Sequence, residues 1–122
     1  MMNKKTGIAR ILAATKYSYK GFRAAWKHEA AFRQEVLLLL VMAPLAFWLG
    51  DSFTEIAILL GSVLIVVIVE LLNSAIEALT DRVSTDFHKL SGRAKDMASA
   101  AVFLSILQMI MIWTVKVWLL FM

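Results

Sequence analysis

Cysteine is absent from this chain of 122 residues, which excludes a disulfide framework, a thiolate nucleophile and any cysteine-based metal site. Histidine occurs only twice, at His28 and His88, with no ligand spacing between the two, and neither is assigned to a metal. There is no G-x-x-x-x-G-K-[ST] stretch and no G-x-G-x-x-G loop. If the chain handles a nucleoside triphosphate, it uses neither common phosphate-cradling design. No internal repeat, linker or low-complexity tract divides it, and its length is that of one domain. The basic start, "MMNKK", is followed by Arg10, Lys16 and Lys20, which interrupt any apolar core of a secretory signal. That segment is expected to be a retained amphipathic one.

What the chain has in abundance is apolar surface. Hydrophobic residues make up 61% of it and the mean hydropathy is +0.75, too high for a water-soluble fold of this size. Two apolar blocks run over Val36–Leu49 and Ile56–Val69, and a third from about Met97 past Val115, interrupted by Gln108. The first two cores are short. Fourteen residues at 1.5 Å each reach roughly 21 Å, below the roughly 30 Å of bilayer hydrocarbon, so polar helix ends must lie close to the interface. Long side chains such as Arg33 can snorkel there. The single proline, Pro44, is expected to kink the first span. The predicted architecture is all-α: spans over about 30–49, 54–70 and 97–118, with a surface helix over about 6–28. A hairpin buried in a soluble protein is the competing reading, and three such blocks argue against it.

Charge sets the expected direction. Residues 1–35 hold eight Lys/Arg against Glu29 and Glu35, and the connection from Ala78 to Asp96 holds four, whereas the Gly50–Glu55 turn has none. The positive-inside rule then places the N-terminus and second connection in the cytoplasm, and the short turn and C-terminus outside. The basic N-terminal region directly precedes a span, so anionic headgroups rather than nucleic acid explain it. Within it Ile8, Leu12, Thr15, Tyr19, Phe22 and Trp26 form a mostly apolar stripe beside Lys16, Lys20, Arg23 and Lys27. This is the pattern of a helix lying in the interface.

The stretch "VIVELLNSAIEALTD" carries the chemistry. Glu70, Asn73, Glu77 and Asp81 fall within about 80° of one another on a helix and run some 16 Å along it. A stable bundle has no need of a row of like charges at the edge of lipid, where repulsion recruits a cation. Carboxylates in such a row suit Mg²⁺, which favours carboxylate plus substrate phosphate, and a further one beside an alcohol can act as general base. The bland alternative is a solvated helix end paired with Arg82, Lys95 or the basic helix. Glu29 lies on the same expected side. Ser91 is expected to cap the third span's helix, whose first N–H groups would face phosphate, with Lys95 offsetting its charge. The small residues Ala98, Ser99, Ala100 and Ala101 permit close helix approach.

"ELLNSAIEALTD" (Glu70–Asp81) fits the E-x-x-N-S-x-x-E-x-x-x-D signature of the prokaryotic diacylglycerol kinases. "LSGRAKDMASAAV" and "GFRAAWKHEAAFRQE" resemble two further blocks of that family, so the resemblance covers essentially the whole chain and looks closest to Gram-negative members. It implies a homotrimeric, multi-pass inner-membrane enzyme that transfers the γ-phosphoryl of MgATP to diacylglycerol, giving phosphatidic acid for phospholipid recycling. By resemblance, Glu70 is the base, Asn73 orients the cluster and Asp81 supports it. Glu29 and Glu77 hold Mg²⁺. Arg10, Tyr17, Glu29, Glu77, Asp86, Phe87, His88, Lys95 and Asp96 contact ATP. Lipid is expected along Arg10, Ala14, Thr15, Lys16, Tyr17, Ser18 and Tyr19, then Arg23, Ala24, Ala25 and Trp26. It continues along Ala31, Phe32, Arg33, Gln34 and Glu35, with Glu70 and Ser99. The rivals are an undecaprenol kinase of the same family, which shares the signature, and a non-enzymatic cation-conducting oligomer with a carboxylate ring.

Overall fold

Helix propensity and apolar length produce four helices in series: α1 Gly7–His28, α2 Ala30–Leu49, α3 Phe53–Val83 and α4 Lys89–Leu120. They are seen in a computed structural model, which describes residues 6–83 and 89–122. The expected all-helical architecture is observed, and α2, α3 and α4 are each long and apolar enough to cross a membrane. At 31 residues, α3 is about 46 Å long and outreaches the hydrocarbon layer by several turns. The last turns of the helix carry Asn73, Glu77 and Asp81. α3 is also the central helix, packing on α2 and on α4, while α1 rests on α2.

α1 and α2 are separated by one extended residue, Glu29, with φ −119° and ψ 105°. Its N–H closes α1 on the Ala25 carbonyl at 2.9 Å, and its own carbonyl accepts the Arg33 N–H at 3.2 Å, opening α2. The Arg33 guanidinium reaches back to the Trp26 carbonyl at 2.6 Å, so this side chain is spent on the exposed end of α1. The α2–α3 turn is built by side chains. Ser52 Oγ accepts the Glu55 N–H at 3.2 Å, and the Glu55 carboxylate accepts the Asp51 N–H at 3.1 Å, a variant of the capping box. Gly50 is needed there for space: a Cβ would stand 2.5 Å from Ile56 Cγ1. Helix α2 runs unbroken through Pro44.

Two buried clusters hold the helices together. Ala46, Leu59, Val63 and Trp113 join α2, α3 and α4, and Ala25, Phe32 and Val67 join the first three helices near Glu29. Between α3 and α4 the polar groups are matched. Trp113 Nε1 donates to Ser62 Oγ at 3.0 Å, and Gln108 Nε2 donates to the Ser62 carbonyl at 2.7 Å and the Ser105 carbonyl at 2.8 Å. This explains the one polar interruption of the third apolar block, since an unmatched amide would be costly in lipid. The outward surfaces are large and apolar, with Phe47, Phe103, Leu104 and Met111 among the exposed residues. Ser91 lies within α4, which is already helical at Lys89, the first described residue after the 84–88 segment, so it is not the cap the sequence suggested. Lys89 and Leu90 are good helix formers, so the helix is under way before the serine is reached.

Candidate active site

The polar row on α3 is the starting point. Glu70 is only 5% exposed, although no Lys or Arg among the described residues forms an ion pair with it. Asn73, one turn on, donates through Nδ2 to Glu77 Oε1 at 2.8 Å and, at a long 3.4 Å, to Glu70 Oε2. One amide thus ties two carboxylates in place. Glu29, at the α1–α2 junction, and Glu77 both act through space on Glu70, and Glu70 acts on Glu35 of α2. Four carboxylates from three chain segments therefore converge on one end of the bundle. Mutual repulsion in a poorly solvated place is the condition under which cations are recruited.

α4 adds a positive charge. Lys95 Nζ lies 2.5 Å from Asp81 Oδ1, and it acts through space on Glu77 as well. Asp81 is thereby the anchor that brings Lys95 to the row. Asp96 is exposed beside it. Asp86, Phe87 and His88 lie outside the described residues.

The other expected contacts are spread along α1 and the start of α2. Arg10, Ala14, Thr15, Lys16, Ser18, Tyr19, Arg23, Ala24 and Trp26 are exposed on α1, as are Ala31 and Gln34 on α2 and Ser99 on α4. Thr15 Oγ1 turns back onto the Ile11 carbonyl at 2.9 Å, and Lys20 Nζ sits 5.9 Å from the Tyr17 ring centre. Ala25 and Phe32 are buried against Val67, so within the chain they seat α1 and α2 on α3. Arg10 is in the first turn of α1, some 28 Å along the helix from Glu29, and a single chain does not bring the two together.

Between α1 and α3 lies a cleft of about 530 Å³. It is lined by Phe22, Ala25, Leu71 and Ala75, with His28 and Glu29 where α1 ends and Ser74 on α3. This size is usual for small-molecule sites, and the wall is mostly apolar with a few polar groups. Sequence reasoning gave Ser74 no role, and it set Glu35 along the lipid without foreseeing that it and Glu70 would influence each other. Helical spacing put Ser74 one turn beyond Glu70, which was the available signal.

A helical, multi-span membrane protein with a carboxylate cluster at the end of its central span is the class that fold and site define. The chain belongs to the prokaryotic diacylglycerol kinase family, whose model matches residues 16–117. It is 50% identical over 119 residues to the diacylglycerol kinase of Escherichia coli K12, covering 97% of each chain. It is 53% identical over 109 residues to that of Pseudomonas aeruginosa, covering 89% of each. With the Haemophilus influenzae diacylglycerol kinase it shares 46% over 112 residues, 92% of this chain and 95% of that one.

Proposed function

We propose that the chain is a lipid kinase that moves the γ-phosphoryl group of ATP onto the hydroxyl of 1,2-diacylglycerol, giving phosphatidic acid and ADP. The observation that carries this reading is Glu70, buried, unpaired with any described cation and held by Asn73, in a chain of this family. Glu70 accepts the proton of the lipid hydroxyl as its oxygen attacks the γ-phosphorus and the bond to the β-phosphate oxygen breaks. Little covalent chemistry is asked of the protein, whose task is to position and to balance charge.

Among the described residues no group of three or more His, Asp or Glu side chains is close enough to hold a metal. Two carboxylates would nevertheless suit Mg²⁺ brought in with nucleotide, since that ion needs only one or two from the protein. Glu29 and Glu77 are those carboxylates, and Mg²⁺ bound there would neutralise phosphate charge. Asn73 fixes Glu77 for that purpose. Lys95, held by Asp81, meets the nucleotide together with Arg10, Tyr17, Asp96 and the 86–88 segment. Lipid lies along α1 and the start of α2.

The same reading makes the protein an inner-membrane enzyme with its N-terminus and site in the cytoplasm and its C-terminus in the periplasm, as the Lys/Arg distribution favours. A three-span subunit is too thin to enclose lipid and nucleotide, and Arg10 is distant from its own Glu29. Both facts favour an oligomer with shared sites, which the family resemblance makes a homotrimer. The test offers labelled ATP and Mg²⁺, with 1,2-diacylglycerol and undecaprenol, to purified protein in mixed micelles. Label is expected on diacylglycerol. Label on undecaprenol alone would change the acceptor, and no labelled lipid of either kind would sink the kinase reading.

A further inference from the structure

Among the described residues three serines are buried, Ser62, Ser74 and Ser105. Two of them satisfy themselves within their own helix: Ser62 Oγ donates to the Leu59 carbonyl at 2.6 Å and Ser105 Oγ to the Val102 carbonyl at 2.7 Å. That is the inexpensive solution open to any helical serine. Ser74 does not take it. Its hydroxyl is buried and without a hydrogen-bond partner among the described residues, and it lines the α1–α3 cleft. It lies one turn beyond Glu70 and within reach of that carboxylate, a contact that falls short of a full hydrogen bond. A buried hydroxyl left unmatched is destabilising and calls for an explanation, of which a partner arriving with a ligand is one.

We infer that Ser74 is a specificity-determining residue on the acceptor side, donating its hydrogen bond to an ester carbonyl of the glycerol lipid held in the α1–α3 cleft. This rests on the proposed kinase activity and adds to it the group that recognises the acceptor's neck. In a 1,2-diacylglycerol the carbon next to the one bearing the reacting hydroxyl carries an ester. A lipid whose hydroxyl meets Glu70 therefore has a carbonyl within a few bonds, and Ser74 is the buried donor one turn away along α3. The apolar wall of Phe22, Ala25, Leu71 and Ala75 suits the first carbons of the acyl chains. A donor at this point also gives the cleft a reason to prefer an ester over a plain alkyl chain, since a pocket built to hydrogen-bond rejects an analogue that leaves its polar group unmatched.

The experiment compares a 1,2-diacylglycerol with the 1,2-dialkylglycerol of equal chain length, which keeps the hydroxyl and lacks both carbonyls. Wild type, Ser74→Ala and Ser74→Thr are assayed with saturating MgATP in mixed micelles. Wild type is expected to favour the diester in kcat/KM by about three- to tenfold, the worth of one neutral hydrogen bond. Ser74→Ala should lose that factor on the diester and little on the diether, with KM for ATP unchanged, and Ser74→Thr should keep it. Equal losses on both lipids would show that Ser74 serves Glu70 or the fold and would overturn the inference. So would a wild type that does not distinguish the two lipids, a result that needs no variant to fold. A wild type that labels neither lipid overturns the kinase reading instead.

Discussion

The two ends of α3 handle charge in opposite ways. Near its start, Lys116 of α4 is buried and donates to Glu55 at 2.6 Å and to Asp51 at 2.9 Å. Every charge there has a partner supplied by the chain itself, and the result is a clasp that ties α4 to the α2–α3 turn. Further along, past the middle of the helix, Glu70 is equally buried, yet its neighbours are an amide and other carboxylates. A matched cluster is settled and does nothing further. An unmatched one is maintained against its own repulsion by packing, and it gains from whatever cation or proton arrives. The difference teaches where to look for chemistry in a membrane chain: at buried charges left unmatched, more than at charges as such.

Substitutions sharpen this contrast. Glu70→Gln is isosteric and removes the proposed base, and lipid phosphorylation is expected to fall by about 10²- to 10⁴-fold. Gel filtration in detergent should show unchanged assembly, because no ion pair among the described residues is broken. Full activity in this variant would end the assignment. Next, Asn73→Ala frees Glu77 and Glu70 without changing either carboxylate. A loss of about 10- to 100-fold in kcat/KM is expected, the usual cost of removing a group that orients metal ligands. Titration with Mg²⁺ checks the cause, since the concentration needed for half-maximal rate should rise.

At the other end the expected readout reverses. Lys116→Met leaves Asp51 and Glu55 facing each other without their cation, so the midpoint of thermal unfolding in detergent should drop while kcat stays near wild type. A double variant, Asp51→Asn with Glu55→Gln, should make the added loss from Lys116→Met disappear. If Lys116→Met abolished transfer in folded protein, the contrast between the ends would fail. The smallest effect belongs to Trp113→Phe, which keeps an aromatic ring in the cluster with Ala46 and Val63 and deletes the bonds to Ser62 and Leu59. Interhelical polar contacts in membranes contribute about 0.6 kcal/mol on average, so a modest shift in unfolding is expected with no change in activity.

Most of the architecture was legible because lipid allows few solutions: long apolar runs become helices, and their ends are set by charge. The row from Glu70 to Asp81 was legible for the same reason, as helical spacing fixes a face without any knowledge of neighbours. What depends on tertiary approach was not legible. Lys116 finds Asp51 across 65 residues and Gln108 finds Ser62 across 46, and nothing local to either residue names its partner. Ser74 was hidden by its ordinariness, since a serine in a helix usually bonds its own turn. Arg33 was expected at the lipid surface, and its bond to the end of α1 was not foreseen because its reach across Glu29 depends on the bend there.

Glu70, Asn73, Ser74, Glu77 and Asp81 all project from one uninterrupted helix, Phe53–Val83, with no loop among them. Such an arrangement tolerates exchange of side chains at intervening positions and does not tolerate a change of length. One residue inserted after Asn73 would swing Glu77 and Asp81 by about 100° away from Glu70 and Glu29 while preserving every residue type. Deletions would act alike in the opposite sense. Descent with variation in this stretch must then proceed by substitution alone, and its spacing is as much a part of the chemistry as its carboxylates.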